Sequence, residues 1–338
     1  MMLESTWFFL WGLLWAVFFM TDGFDLGIGS IYPFLGKNDE EKRVMINSLG
    51  PLWDGNEVWL ITAGGVTFAA FPLVYSVMFS ALYTPLMLIL FALIIRGVSF
   101  EFRGLSNKKS WVRIWDTSIF IGSFVPSLLF GVAFANIFMG IPIDENGIMQ
   151  GNLFSLLNPY GILGGILFVV LFVVHGLLWI CIRGFGDLKT RASNLVKKMW
   201  IAEAAVIVAF LFASYIYTGL FDNYFKYPAL WLILVFAVIS LFMIRFFISR
   251  EKYFFAWASS ASTIVFCTFF GIAGLFPNLF PSSINSDFSL TAFNAASSPY
   301  TLKIMLGVVV VFIPIVIAYQ SFAYKMFSTK VDPKDLTY

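Results

Sequence analysis

The chain has 338 residues, 60% of them hydrophobic and only 12% charged, with a mean hydropathy of +0.87 and a formal net charge of +2. Soluble domains carry about 25% charged residues, so this composition excludes a soluble globular protein and specifies an integral membrane one. Basic residues spread over separate loops exclude nucleic-acid recognition, while two cysteines and one histidine exclude a disulfide framework, a His-rich metal site and a bis-histidine haem built from this chain alone.

A membrane span needs about 20 apolar residues. On that rule the chain is all-α, a single transmembrane domain over 1–338, with nine transmembrane helices predicted at 7–30, 52–71, 73–98, 116–140, 160–183, 201–219, 229–248, 256–276 and 302–324. No basic region precedes the first helix and no small-residue cleavage site follows it, so it reads as a retained span rather than a signal peptide. Lysines and arginines gather after helices 1, 3, 5, 7 and 9, from Lys37, Lys42 and Arg43 at one end of the chain to Lys325, Lys330 and Lys334 at the other. Only Lys226 and Lys303 fall in the alternate loops. The positive-inside rule then places the N-terminus outside and the C-terminus in the cytoplasm.

In chain order, helix 1 carries TDGFDLGIG (21–29), which puts Asp22 and Asp25 in its cytoplasmic half. An acid in hydrocarbon costs roughly 2.5–3.5 kcal/mol on insertion scales, so these residues are not packing. Their i,i+3 spacing sets both carboxylates on one helix face, and Gly23, Gly27 and Gly29 let another backbone approach it closely. Helix 2 opens on WDGNEVW (53–59), where Asp54 and Glu57 repeat the spacing within the first turns. A helix N-terminus favours carboxylates, so capping is the plain reading of that pair. Helix 3 delivers Arg96 to the same leaflet, with Glu101 just beyond, and a salt bridge from Arg96 to Asp22 and Asp25 would tie helices 1 and 3. Helix 4 starts at Trp115 and Asp116. Helix 5 brings His175 to the inner half, where a hydrogen-bonded core histidine is the plain reading.

Phosphate loops, nucleophile elbows and metal motifs are absent from the sequence. Three functions fit a helical scaffold with acids on one side. A polar route fed from the cytoplasm and stopping part-way suits an enzyme that consumes protons within the bilayer. A stand-alone proton-coupled secondary transporter needs access from both faces. A structural anchor for a partner needs neither. The 41 phenylalanines suit packing, or a dry path for an apolar small molecule.

At TDGFDLGIG, NSLGPLWDGNEVWLITAGG (47–65) and RGVSFEFRG (96–104) the chain closely resembles subunit II of the cytochrome bd-type quinol oxidases; WDTSIFIGSFVPSLLFGVAF (115–134), LNPYGILGG (157–165) and FPNLFPSS (276–283) fit as well. The resemblance spans essentially the whole chain. It implies nine helices as two four-helix bundles plus a peripheral helix, in the bacterial or archaeal cytoplasmic membrane. It implies a complex that oxidises quinol and reduces dioxygen to water, with two haems b and one haem d in subunit I, the partner of this chain. By the resemblance, Asp22, Asp25, Asp54 and Arg96 belong to a proton pathway, and Trp59 stands at the mouth of an oxygen channel. Glu57, Glu101, Asp116 and His175 would be accessory to the pathway, although Glu57 stands where other members can carry glutamine, which implies that its charge is dispensable. Neither a catalytic residue nor a metal ligand is expected in this chain. A structural quinone and a small single-helix third subunit remain open.

Overall fold

A computed structural model describes residues 2–331, and Lys334 lies outside the described residues. Thirteen α-helices account for most of the chain: α1 (Met2–Leu35), α2 (Asp39–Leu49), α3 (Trp53–Ala70), α4 (Pro72–Ala81), α5 (Tyr83–Phe102), α6 (Lys109–Met139), α7 (Leu153–Leu156), α8 (Pro159–Arg183), α9 (Gly186–Tyr217), α10 (Leu220–Lys226), α11 (Trp231–Ser249), α12 (Tyr253–Leu275) and α13 (Pro299–Met326). Two short strands, β1 (Asn278–Phe280) and β2 (Leu290–Thr291), pair antiparallel in the last long loop. That small hairpin departs from the all-α expectation.

Among the described residues, eight helical segments are long and apolar enough to cross a membrane, one fewer than predicted. The helix expected at 52–71 is present as α3, but Asp54, Asn56 and Glu57 in its first turns dilute its hydropathy. Its 18 residues still reach about 27 Å at 1.5 Å per residue. The helix expected at 73–98 is two, α4 and α5, broken at Leu82. Pro85 explains the break, because its ring would collide with the carbonyl of residue 81 in a continuous helix. The predicted sixth helix begins much earlier, at Gly186, since Lys189, Arg191, Lys197 and Lys198 are good helix formers that a hydropathy criterion ignores. The fourth likewise starts at Lys109, which places Asp116 two turns inside α6 rather than at its start. The amphipathic α2, expected as loop, is capped by Asn38, whose side chain accepts from the Glu41 N–H, and carries three acids in its first turn.

Helix α1 is central, packing on α3, α6, α8 and α12. Helices α5 and α6 pair, as do α8 with α9 and α11 with α12, and α8 also rests on α6. Water gives no hydrophobic drive between helices in lipid, so close packing must hold them together. Gly27 shows how close: a Cβ there would lie 1.8 Å from the Phe172 carbonyl oxygen, while Gly176 on α8 presses on the Phe24 and Ile28 backbone in return. Deeper in the bundle, Trp15, Phe18, Phe19, Phe130, Phe134 and Phe168 interlock edge to face, the closest pair being Phe19 and Phe168 at 4.8 Å. At the end remote from α2, the 141–158 loop is stitched to the hairpin loop by Ile141 N–H to the Pro281 carbonyl (2.9 Å) and Ser282 Oγ to the Ile143 carbonyl (2.7 Å). Helix α13 stands apart, with only 6% of its apolar window buried and its contacts mainly on α1 and α3.

Candidate functional site

The acids of α1 diverge. Asp22 is fully buried and takes a two-pronged contact from the equally buried Arg96 of α5, with Nη2 to Oδ1 at 3.0 Å and Nη1 to Oδ2 at 3.4 Å. Arg96 Nη2 also faces Glu57 Oε1 of α3 at 3.5 Å. Gly122 on α6 makes room for this guanidinium, because a Cβ there would meet Arg96 Cβ at 2.7 Å. Asp25 does not pair with Arg96. Its Oδ2 accepts from Asn56 Nδ2 at 2.7 Å, and its buried Oδ1 meets no partner among the described residues. The expected shared bridge is therefore half right: one turn of helix carries Asp25 past α5 to the start of α3.

Asn56 continues the connection, accepting at Oδ1 from the Tyr324 hydroxyl of α13 at 2.8 Å. One turn on, Trp59 Nε1 donates to Gln320 Oε1 at 2.9 Å, and Gln320 Nε2 donates to the Gly55 carbonyl at 2.9 Å. These contacts pin the otherwise loose α13 to α3. Between them and α1 lies a cavity of about 790 Å³, walled almost wholly by apolar side chains such as Leu10, Val17, Val66 and Ile313, with Trp59, Gln320 and Tyr324 on its lining. Asn56, Gln320 and Tyr324 were not anticipated. Asn56 sits inside the WDGNEVW string, and an amide between two acids was the available signal; nothing in the sequence linked α13 to it.

The other candidates separate from this cluster. Asp54 is exposed and, among the described residues, accepts only from the neighbouring Gly55 N–H. Glu101 is exposed as well. Asp116 forms a second network, accepting from the Tyr32 hydroxyl (2.8 Å), Lys42 Nζ (2.7 Å) and Arg103 Nε (2.6 Å), while Arg103 Nη2 reaches Asp39 at 2.8 Å. His175 is fully buried, its Nε2 on the Met20 carbonyl at 3.1 Å and its ring stacked on Trp257 with centroids 5.2 Å apart. Among the described residues no group of three or more His, Cys, Asp or Glu gathers as a metal set. Glu203 on α9 went unnoticed in the sequence although it is an acid inside an apolar run; it is fully buried and neither carboxylate oxygen meets a partner among the described residues.

A family profile described as cytochrome bd terminal oxidase subunit II matches residues 3–327. The chain is 36% identical over 337 residues to cytochrome bd ubiquinol oxidase subunit 2 of Bacillus subtilis, covering 99% of each chain. It is 38% identical over 366 residues to cytochrome bd-I ubiquinol oxidase subunit 2 of Escherichia coli, covering 98% of this chain and 96% of the relative. Among solved structures, a chain of the bd oxidase from Geobacillus thermodenitrificans superposes with a TM-score of 0.79 at 15% identity, over 97% of this chain and 99% of that one, a likeness of fold alone.

Proposed function

Because the chain belongs to the cytochrome bd terminal oxidase subunit II family, and is thus the partner of a subunit I in a quinol oxidase, we propose that it is the non-catalytic member of the pair and carries protons and dioxygen toward subunit I. Family membership displaces the stand-alone transporter. It also fits a multi-pass protein of a bacterial inner membrane, and the bacterial relatives give the archaeal alternative no support. In this reading α3 is the ninth span, α1, α3, α5 and α6 form one four-helix group, α8, α9, α11 and α12 the other, and α13 is peripheral. The N-terminus is outside, so the acids lie toward the cytoplasm.

The proton reading rests on one observation. Asp25 is buried with an unfilled carboxylate oxygen and is joined through Asn56 to Tyr324 on the cavity wall. A buried acceptor left empty costs about 1–3 kcal/mol, and a transient water or proton would relieve it. Asp54, exposed at the mouth of α3, is the collecting group, and the Arg96–Asp22 pair fixes the walls. The apolar cavity beside Trp59 suits dioxygen, which gains from leaving water, and is large enough for the ring and first isoprene units of a structural quinone. His175 has Nε2 on the Met20 carbonyl and its ring against Trp257, with Nδ1 unpartnered among the described residues, as a core histidine would; in this reading haems b and d are carried by subunit I. A small third subunit would have to dock on exposed helix faces such as that of α13.

The test is Asp25→Asn and Asp54→Asn in the assembled complex. Each should slow oxygen consumption severalfold with assembly and haem spectrum intact. Loss of haem along with activity would make these residues structural and remove the proton role.

A further inference from the structure

Away from the acidic cluster, an open cleft of about 910 Å³ lies between the end of α1, the start of α2 and the start of α6. Five cations line it, Lys37, Lys42, Arg103, Lys109 and Arg113, against two acids, Asp39 and Asp116. Both acids are already answered, Asp116 by Tyr32, Lys42 and Arg103, and Asp39 by Arg103. Lys37, Lys109 and Arg113 are exposed and make no ion pair among the described residues. Among the described residues the cleft therefore holds three positive side chains, from the turn after α1 and the start of α6, with no carboxylate in ion-pair contact.

Its other end is apolar. Pro33 and Phe120 close it, and Phe34 beside them is 71% exposed. The Phe34 and Phe120 rings meet edge to face at 5.9 Å, and Phe120 stacks on Phe124 at 5.6 Å, one turn further along α6. At 1.5 Å per residue, Phe120 and Phe124 lie about 10 and about 16 Å beyond Arg113. The interfacial layer of a leaflet is roughly 5–8 Å thick, so these rings stand at acyl-chain depth when the cations stand at the headgroups.

We propose that this cleft binds an anionic phospholipid, its phosphate held by Lys37, Lys109 and Arg113 and its acyl chains laid along Phe34, Phe120 and Phe124. Basic clefts at the ends of membrane helices take such headgroups. A zwitterionic lipid would bring its own cation against three others. Free phosphate shares the headgroup chemistry but has nothing for the aromatic wall.

The purified, delipidated complex would be mixed with micelles containing phosphatidylglycerol or phosphatidylcholine, and retained lipid counted by native mass spectrometry. Phosphatidylglycerol should be retained and phosphatidylcholine washed away. A cation at an anionic lipid surface counts for a factor of about five, so Lys109→Ala with Arg113→Ala should weaken retention roughly 25-fold. Phe120→Ala should weaken it too, whereas Lys197→Ala with Lys198→Ala, on α9 outside the cleft, should leave it unchanged. Equal retention of both lipids, or an unaffected double variant with an intact visible spectrum, overturns the proposal. Displacement of the lipid by inorganic phosphate, with Phe120→Ala silent, overturns it in favour of a free-phosphate site. Counting lipid in micelles is blind to orientation and turnover, so failure here leaves the proton route standing and failure of that route leaves this site standing.

Discussion

Arg96→Leu should be the most damaging single change in the acidic cluster, and clearly worse than Asp22→Leu. Arg96 answers two acids, Asp22 through two bonds and Glu57 at 3.5 Å, with no exposed surface of its own. Removing one partner of a buried ion pair costs about 3–5 kcal/mol, because a charge is stranded, and here two acids lose the one cation that pairs with them among the described residues. Asp22→Leu instead leaves Arg96 with Glu57, whose side chain is 22% exposed. That 3.5 Å ion pair, without a hydrogen bond, still leaves the guanidinium a counter-charge, so this variant should cost about 2 kcal/mol, below the roughly 3–5 kcal/mol of a stranded buried charge. The double variant, Asp22→Leu with Arg96→Leu, should be milder than Arg96→Leu alone, since apolar replacement of a buried pair is often close to neutral. Thermal denaturation of the purified complex, run as a double-mutant cycle, measures all four states. Equal damage from the two single changes, or a double variant equal to their sum, would refute the claim that this pair joins α1 to α5.

Trp59→Phe removes the donor to Gln320 and loosens α13 over the cavity; it should raise the apparent KM for dioxygen more than it lowers the maximal rate, and proportionate changes in both would count against an oxygen path. Gly27→Val should abolish assembly, since its Cβ meets the Phe172 backbone rather than a side chain that can swing away, at about 3 kcal/mol or more; normal yields of complex would show that α1 and α8 can separate. Glu41 on α2 is opposed by partial burial, yet the Arg191 guanidinium and the Lys37 N–H hold its carboxyl below the usual glutamate range. Its contribution is thus present above that range and lost as pH falls through the lowered value, so Glu41→Gln should destabilise by roughly 1 kcal/mol or less at neutral pH and not at all in acid.

Residue types made the membrane class, the positions of nearly all the long helices and the Arg96–Asp22 bridge legible in the sequence, because hydropathy and the cost of a lone buried charge are local properties. What escaped was of another kind. The break at Leu82 was hidden because the apolar run continues through it. The long charged start of α9 escaped because a hydropathy threshold records only lipid contact. Asp25 was assigned to Arg96 on spacing, but spacing fixes a face of α1 and not which neighbour occupies it; the crossing of α1 with α3 and α5 decides that. Gln320 and Tyr324 lie more than 260 residues from their partners, on a helix whose sequence looks like plain lipid-facing span.

The two polar networks differ in one respect that bears on which of them moves protons. Asp116 is committed on both oxygens: three donors from α1, α2 and the turn before α6, two of them cations, hold it and tie those elements together. Asp22 is likewise committed on both oxygens to a guanidinium that stays charged at any working pH. Asp25 has one neutral donor and one empty oxygen. Of the three acids it alone keeps an oxygen with no donor among the described residues, and no cation holds it, which leaves that oxygen open to a relay. Replacing Asn56 with Leu should therefore lower turnover as far as Asp25→Asn does, by cutting the contact to Tyr324, while Asp116→Asn should lower stability and leave turnover per assembled complex unchanged. If Asp116→Asn slows turnover and Asn56→Leu does not, the route runs through the wrong cluster.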